Sequence, residues 1–294
     1  MNRSMMTRAL YPLLMIAGLV FAGAAGAAES FSTADQAADA FVQAVKANDQ
    51  AALAKILGTD WKSYIPTEGV GRDDVDTFIT RYAEAHKIVE SGGKAHLAVG
   101  NDAWVLPIPL VKQGSGWEFD AKAAHDEIIT RHIGANELAA VQAALAYYDA
   151  QRDYAAQVSG GIPEYAQKFV SSPGKHDGLY WPSKDGEPES PLGELYASAT
   201  HGDDYHGYHF RILTAQGPSA PGGAYDYMSA GHMRNGFALI AWPSHYGETG
   251  VMSFIVSHDG EVFEKDLGKD GGKAAQAMTR FDPDSSWKET QQAQ

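Results

Sequence analysis

The 294-residue chain contains no cysteine. That excludes disulfides, thiolate metal sites, a cysteine nucleophile and the cysteine on which a bacterial lipid anchor is built. Positive charge is scarce: 23 Lys and Arg stand against 37 Asp and Glu, for a net charge of -14. A surface of that sign repels phosphate backbones and anionic membranes, so neither nucleic acid nor a lipid surface is an expected partner. No Gly-x-Ser-x-Gly elbow and no His-Glu-x-x-His run occurs. The local signatures of a serine hydrolase and of a zinc peptidase are therefore missing.

Long apolar runs are missing too, with one exception at the N-terminus. Arg3 and Arg8 precede the apolar stretch Ala9 to Ala24, and Ala25-Gly26-Ala27 places small residues before Ala28. This is the three-part pattern of a secretory signal peptide, with cleavage expected after Ala27. Loss of the two arginines takes the mature chain from -14 to -16. The alternative, an uncleaved anchor, is disfavoured because the run is short for a span of about 20 residues. The expected location is periplasmic or secreted, beyond a bacterial-type inner membrane. No membrane span is expected after cleavage.

Glycine, by contrast, is abundant at 31 residues, which signals many turns and substantial β structure. Thr33 and Gln36 fit a helix capping box, followed by Ala37, Ala38, Phe41, Val42 and Val45 at helical spacing. A short helix is expected through Leu53, Ile56 and Leu57, and another capped by Asp73 with Val75, Phe78, Ile79 and Tyr82 on one face. Strands are expected over 96–99, 103–111 and 117–120, the last two joined by a hairpin at Gln113 to Gly116. Helices follow over about 122–133 and 136–157, the second with Leu138, Val141, Leu145 and Tyr148 as its apolar stripe. Beyond Gly160-Gly161 the chain turns rich in Pro, Gly, Tyr and His. Short helices are expected over 163–169 and 192–200, and strands over 208–214, 237–242, 251–257 and 261–265. His258-Asp259-Gly260 supplies a hairpin tip with the positive φ such a turn needs.

This order predicts an α+β fold. After residues 1–27, a helix-plus-curved-sheet domain spans 28–130 and a helical connector 131–160. A Gly- and aromatic-rich antiparallel β domain spans 161–287, and 288–294 form a disordered tail. The first domain resembles the exported nuclear-transport-factor-two-like domains, in which N-terminal helices wrap a curved sheet and a Trp-x-Phe-Asp strand follows a Gly turn. Here that strand is Trp117 to Asp120.

A more specific resemblance runs from about Phe31 to Trp287. The segments that carry it include Ile133-Gly-Ala-Asn-Glu-Leu138, Tyr205-His-Gly-Tyr-His-Phe-Arg-Ile-Leu213, Ala220-Pro-Gly-Gly-Ala-Tyr225, Gly236-Phe-Ala-Leu-Ile-Ala-Trp-Pro243 and Tyr246-Gly-Glu-Thr-Gly-Val-Met252. In these the chain resembles a bacterial family catalogued as domain of unknown function 2950. The resemblance implies a secreted protein and no particular reaction. The last strands are also similar to the globular heads of type II secretion pseudopilins, without the long assembly helix of that class.

Eleven histidines raise the question of metal. His206 and His209 point to opposite faces of a strand, which leaves His201, Asp203 and His206 on one loop as the nearest ligand set. No metal and no cofactor is expected. Ser172-Pro-Gly-Lys175 has the Ser-x-x-Lys spacing, but its proline breaks the helix that such a motif requires. The aromatic set around Tyr180, Trp181 and Tyr208 reads either as a small core or as the wall of a groove for sugars or peptides. Arg211, inside an apolar strand, reads as a buried ion pair with Asp226 or Asp177 or as a ligand anchor. Gln216 and Asp226 flank a Gly/Pro loop whose bare tip suits close approach of a ligand. The candidate ligand-binding residues are thus Arg211, Gln216, Asp226, Tyr180, Trp181 and His206. The function expected is non-catalytic binding of an envelope component, a peptide or a glycan. The alternative is a hydrolase acting on an envelope polymer.

Overall fold

The computed structural model describes residues 28–65, 70–158, 162–182, 188–194 and 204–290. The segment read as a signal peptide lies outside them, as do His201 and Asp203 and most of the short helix expected over 192–200. The fold is α+β, in two compact units divided between Ala124 and His125. Among the described residues no helix is long and apolar enough to cross a membrane.

In the first unit, α1 (Ala34–Ala47) starts where Thr33 accepts the Gln36 amide at 3.1 Å and ends at Asn48 in a left-handed conformation. The Gln36 side chain is taken by Ser32 Oγ at 2.6 Å, so the cap is shared between two hydroxyls. Ala37, Ala38, Phe41 and Val42 are buried, as their spacing predicts. α2 (Gln50–Leu57) is capped by Asp49. α3 (Arg72–Glu84) starts two residues earlier than an Asp73 cap implies, with Gly71 at the cap and Asp74 Oδ2 accepting from the Gly71 amide at 2.8 Å.

The sheet below these helices comprises β1 (His86–Ser91), β2 (Lys94–Val99), β3 (Trp104–Val105), β4 (Leu110–Gln113) and β5 (Gly116–Phe119). Its order is β1-β2-β4-β5, with β3 also on β2. The sequence reading missed β1, whose only apolar residues are Ile88 and Val89. Gly92 and Gly93, both at positive φ, turn it back on β2. The strand expected over 103–111 is two pieces, because Pro107 and Pro109 offer no amide to a ladder.

The two helices expected over 122–157 are one helix of 38 residues, α4 (Ala121–Val158). Gly134 costs such a helix about 1 kcal/mol relative to alanine, too little to stop it. The helix is no connector: its segment from His125 belongs to the second unit, and Ala140, Ala143, Ala144, Tyr147, Ala150 and Tyr154 are part of that unit's core. The core-facing stripe is therefore the alanine one. Leu138, Val141, Leu145 and Tyr148 lie on its flank, only partly covered, with Leu138 52% exposed.

The second unit is built on the antiparallel strands β6 (Tyr208–Leu213), β11 (Ala238–Pro243), β12 (Met252–Ser257), β13 (Val262–Asp266) and β15 (Lys288–Glu289), in the order β15-β13-β12-β11-β6. Lys288 and Glu289 were expected in a disordered tail. They form an edge strand, and Trp287 beside them is buried. A smaller sheet of β14 (Arg280–Phe281), β7 (Ala215–Gln216) and β8 (Tyr225–Asp226) contains the one parallel pairing among the described strands, β14 with β7. β9 (Met228–Ser229) and β10 (His232–Met233) form a hairpin, and α5 (Gly271–Ala277) precedes β14.

Residues 163–169 are not helical. Tyr165 bridges Met233, and the buried Gln151 of α4 clamps the Ala166 peptide from both sides. Its Oε1 accepts the Ala166 amide at 2.8 Å and its Nε2 donates to the Ala166 carbonyl at 2.8 Å. A tertiary partner thus takes the hydrogen bonds a helix would need.

Candidate functional site

Three of the segments that carry the family resemblance meet in the second unit. The turn Tyr205 to Tyr208 puts His206 and Gly207 at positive φ. The Gly207 carbonyl gathers the Ser244 amide at 2.9 Å, Ser244 Oγ at 3.0 Å and Thr249 Oγ1 at 2.9 Å. From α4, Asn136 Nδ2 donates to the Thr249 carbonyl at 2.9 Å. Its neighbour Glu137 accepts the amides of Val251 and Met252 on one oxygen, both at 2.9 Å. Tyr208 Oη donates to the Met252 carbonyl at 2.8 Å. Burial, with the Glu137 charge nearby, pushes the ionisation of Tyr208 well above that of a free tyrosine. Gly250 has no alternative here, since a Cβ on it would stand 2.1 Å from Tyr208 Oη. The loop Tyr246 to Gly250 is thereby fixed from the helix and from β6.

Beside this braced loop opens a cavity of about 530 Å3. Leu138, Val141 and Phe254 are its apolar lining, and Glu137, Glu264, Lys288, Glu289 and Thr290 its polar lining. The rows of the ladder explain the grouping. Phe254 faces Glu264 across β12 and β13, and Glu264 faces Lys288 across β13 and β15. Directly opposed residues share a face of the sheet. Glu264 and Lys288 form no ion pair with each other within 4.0 Å, so both charges are open to a third group.

The residues singled out from the sequence fall elsewhere. Arg211 finds neither Asp226 nor Asp177. Its Nη2 donates to the carbonyls of Ala275, at 2.7 Å, and Met278, at the C-terminal end of α5. Burial disfavours its charge and lowers its pKa, while carbonyls at a helix C-terminus favour it. Asp226 is exposed and lies 3.9 Å from Arg280 instead. Gln216 is fully buried: Nε2 donates to the carbonyls of Pro221 and Gly223, at 2.6 and 2.8 Å, and Oε1 accepts from Tyr227 Oη at 3.0 Å. It holds the Gly/Pro loop from inside rather than facing a ligand. Trp181 is 3% exposed, stacked on His176 at 4.3 Å, and its indole donates to the Pro188 carbonyl. Tyr180 is half-buried, with its backbone paired to Phe169 and Ser171. His206 is the exposed tip of its turn. The structure thus gives Gln216 and Trp181 interior roles and makes Arg211 a helix cap.

The groove residues escaped sequence reasoning because Leu138 and Val141 read only as part of an apolar helix stripe and Lys288 to Thr290 as a tail or its margin. The signal that pointed there was the Asn136-Glu137-Leu138 segment, which carried the resemblance but no recognised chemistry.

Ser172 is in fact contacted by a lysine, Lys168, at 2.8 Å, yet the arrangement is not that of an activated nucleophile. Asp177 takes Lys168 at 2.7 Å, Ser172 Oγ at 3.0 Å and the Ser172 amide at 2.7 Å. The Lys168 hydrogen bond, then the Ser172 amide, hold the Asp177 carboxyl down at about 2. Lys168 and Ser172 both direct hydrogen bonds to Asp177, so the pair is not laid out as a nucleophile with a free base beside it. Among the described residues no group of three or more His, Asp or Glu is placed to hold a metal ion.

A family model described as "Protein of unknown function (DUF2950)" matches residues 28–290. No curated protein matches the chain, and no solved structure does.

Proposed function

We propose that this chain, which belongs to the DUF2950 family, is a non-catalytic binding protein of the bacterial cell envelope. It works in the periplasm or outside the cell after cleavage behind Ala27. The observation that carries the reading is the groove over Leu138, Val141 and Phe254: a preformed cleft of binding-site size with both apolar and polar lining. Its frame is fixed by Asn136 and Glu137, so an occupant meets an ordered surface. The hydrolase alternative has less support, because the serine with a lysine beside it is neutralised by Asp177.

Export rests on Arg3, Arg8, the short apolar run and the small residues before Ala28. A nuclear-transport-factor-two-like character for the first unit is part of the same proposal. It is supported by three helices followed by an antiparallel sheet that ends in the Trp117 strand.

Native purification from periplasm and culture medium, with mass spectrometry of the chain and of copurifying material, tests the reading. The expected chain begins at Ala28, and its companion is lost in Leu138→Glu. A mature chain still carrying Met1, or a companion retained unchanged by Leu138→Glu, overturns it.

A further inference from the structure

The groove also discriminates between the classes of occupant. This step rests on the binding reading above and goes beyond it. A sugar ring lays its apolar face on an exposed aromatic plane. Here the aromatic residue in the lining, Phe254, is 2% exposed, and the accessible apolar surface is aliphatic, from Leu138 at 52% exposure and Val141. An aliphatic surface seats a branched aliphatic side chain instead.

The charges narrow the choice further. Three glutamates, Glu137, Glu264 and Glu289, line the groove against a single cation, Lys288. Both oxygen–amide bonds of Glu137 use Oε1. The Glu264 backbone is held in the ladder, and its side chain has no hydrogen bond or ion pair among the described residues. The whole chain adds a field of -14, which draws cations and repels anionic lipids. An acyl chain on an anionic membrane fits the apolar lining but not the field.

We infer that the groove binds a polypeptide segment with an aliphatic anchor residue beside a basic one: the anchor sits on Leu138 and Val141 and the basic group pairs with Glu264. Lys288, directly across the ladder from Glu264, is left to meet a peptide carbonyl or carboxylate. This is groove recognition by one anchor and a flanking charge, with specificity set by the polar lining of the cleft.

Amide NMR spectra of the mature chain, titrated with three probes, test this inference. The probes are acetyl-Gly-Leu-Lys-Gly-Leu-Lys-Gly-amide, the same peptide with Glu in place of Lys, and a tetrasaccharide of N-acetylglucosamine. The Lys peptide is expected to shift the amides of Leu138, Val141, Glu264, Lys288 and Thr290 in a saturable way. Leu138→Glu should abolish those shifts while leaving the melting temperature unchanged, because that side chain is half exposed. Glu264→Gln should weaken binding by about two- to five-fold at low salt, the range for one exposed ion pair, and flatten its salt dependence.

Equal binding of the Glu peptide, saturation by the tetrasaccharide in place of the Lys peptide, or silence of these amides at millimolar concentrations of every probe overturns the inference. The binding reading fails separately, on whether Leu138→Glu loses the natural companion.

Discussion

Arg211 shows how far one side chain depends on its surroundings. On the strand it is an isolated cation among apolar neighbours. In the fold it supplies the donors that the last carbonyls of α5 lack. Arg211→Met removes those donors and leaves the carbonyls buried, so we expect a loss of about 1–3 kcal/mol in urea unfolding. Capture of a natural companion should be unaffected. An unchanged melting temperature with capture abolished would restore the ligand-anchor role instead.

Asp177 makes a second prediction at this scale. Its folded pKa is depressed, so its contribution is complete above the ordinary carboxyl value of 3.8 and is lost as pH falls from there through about 2. The pair is partly exposed and screened by water, so its effect on overall stability is small. NMR titration of the Asp177 carboxyl should give a midpoint near 2, moving up towards 3.8 in Lys168→Met. A midpoint that stays put in the variant would mean that the Ser172 amide alone sets it.

At the scale of elements, α4 decides the second unit. Its alanines let the helix approach the sheet closely enough for Tyr147 Oη to reach the Ala238 carbonyl at 3.2 Å and for Gln151 to clamp Ala166. Larger side chains at these positions would hold the helix off. We therefore expect Ala144→Leu to cost about 1–3 kcal/mol through overpacking. Leu138→Ala, on the flank, should change stability by no more than about 0.5 kcal/mol. Urea denaturation of the two variants measures both. The opposite ranking would mean that the leucine stripe faces the core after all. Periodicity reports which residues share a face, not which face is most deeply covered. Leu138, Val141, Leu145 and Tyr148 do share one. The neighbouring alanine face is equally periodic, and small size rather than hydrophobicity selected it.

For the molecule as a whole, the division between Ala124 and His125 assigns nearly all of α4 to the second unit. A fragment from Asp120 to Gln294 keeps the Asp120 cap, whose Oδ1 accepts the Ala123 amide at 2.9 Å, together with the complete alanine stripe. We expect it to melt cooperatively by circular dichroism. A fragment from residue 161, cut where composition alone suggests a boundary, should not fold. Without Tyr147, Gln151 and Tyr154 it exposes the sheet face they cover and orphans the Ala166 peptide. A folded short fragment would reinstate the helix as a connector.

Local chemistry was enough for some of this. The Thr33 start of α1, the Leu53, Ile56 and Leu57 face of α2 and the meander β11-β12-β13 with its Asp259-Gly260 tip follow from capping residues, periodicity and turn geometry, all of which act within a few residues. The absence of cysteine and the negative charge removed whole classes of chemistry before any fold was known. What lay between distant segments was not legible. The Arg211 partner is 64 residues away, the Glu137 amides more than 110, and the Glu264 row is completed by a strand that looked like a tail. Only the closed tertiary structure sets those pairings, because a buried polar group takes the partner that packing brings to it. The groove exists for the same reason: α4 docks through its alanines and leaves Leu138 standing clear of the sheet.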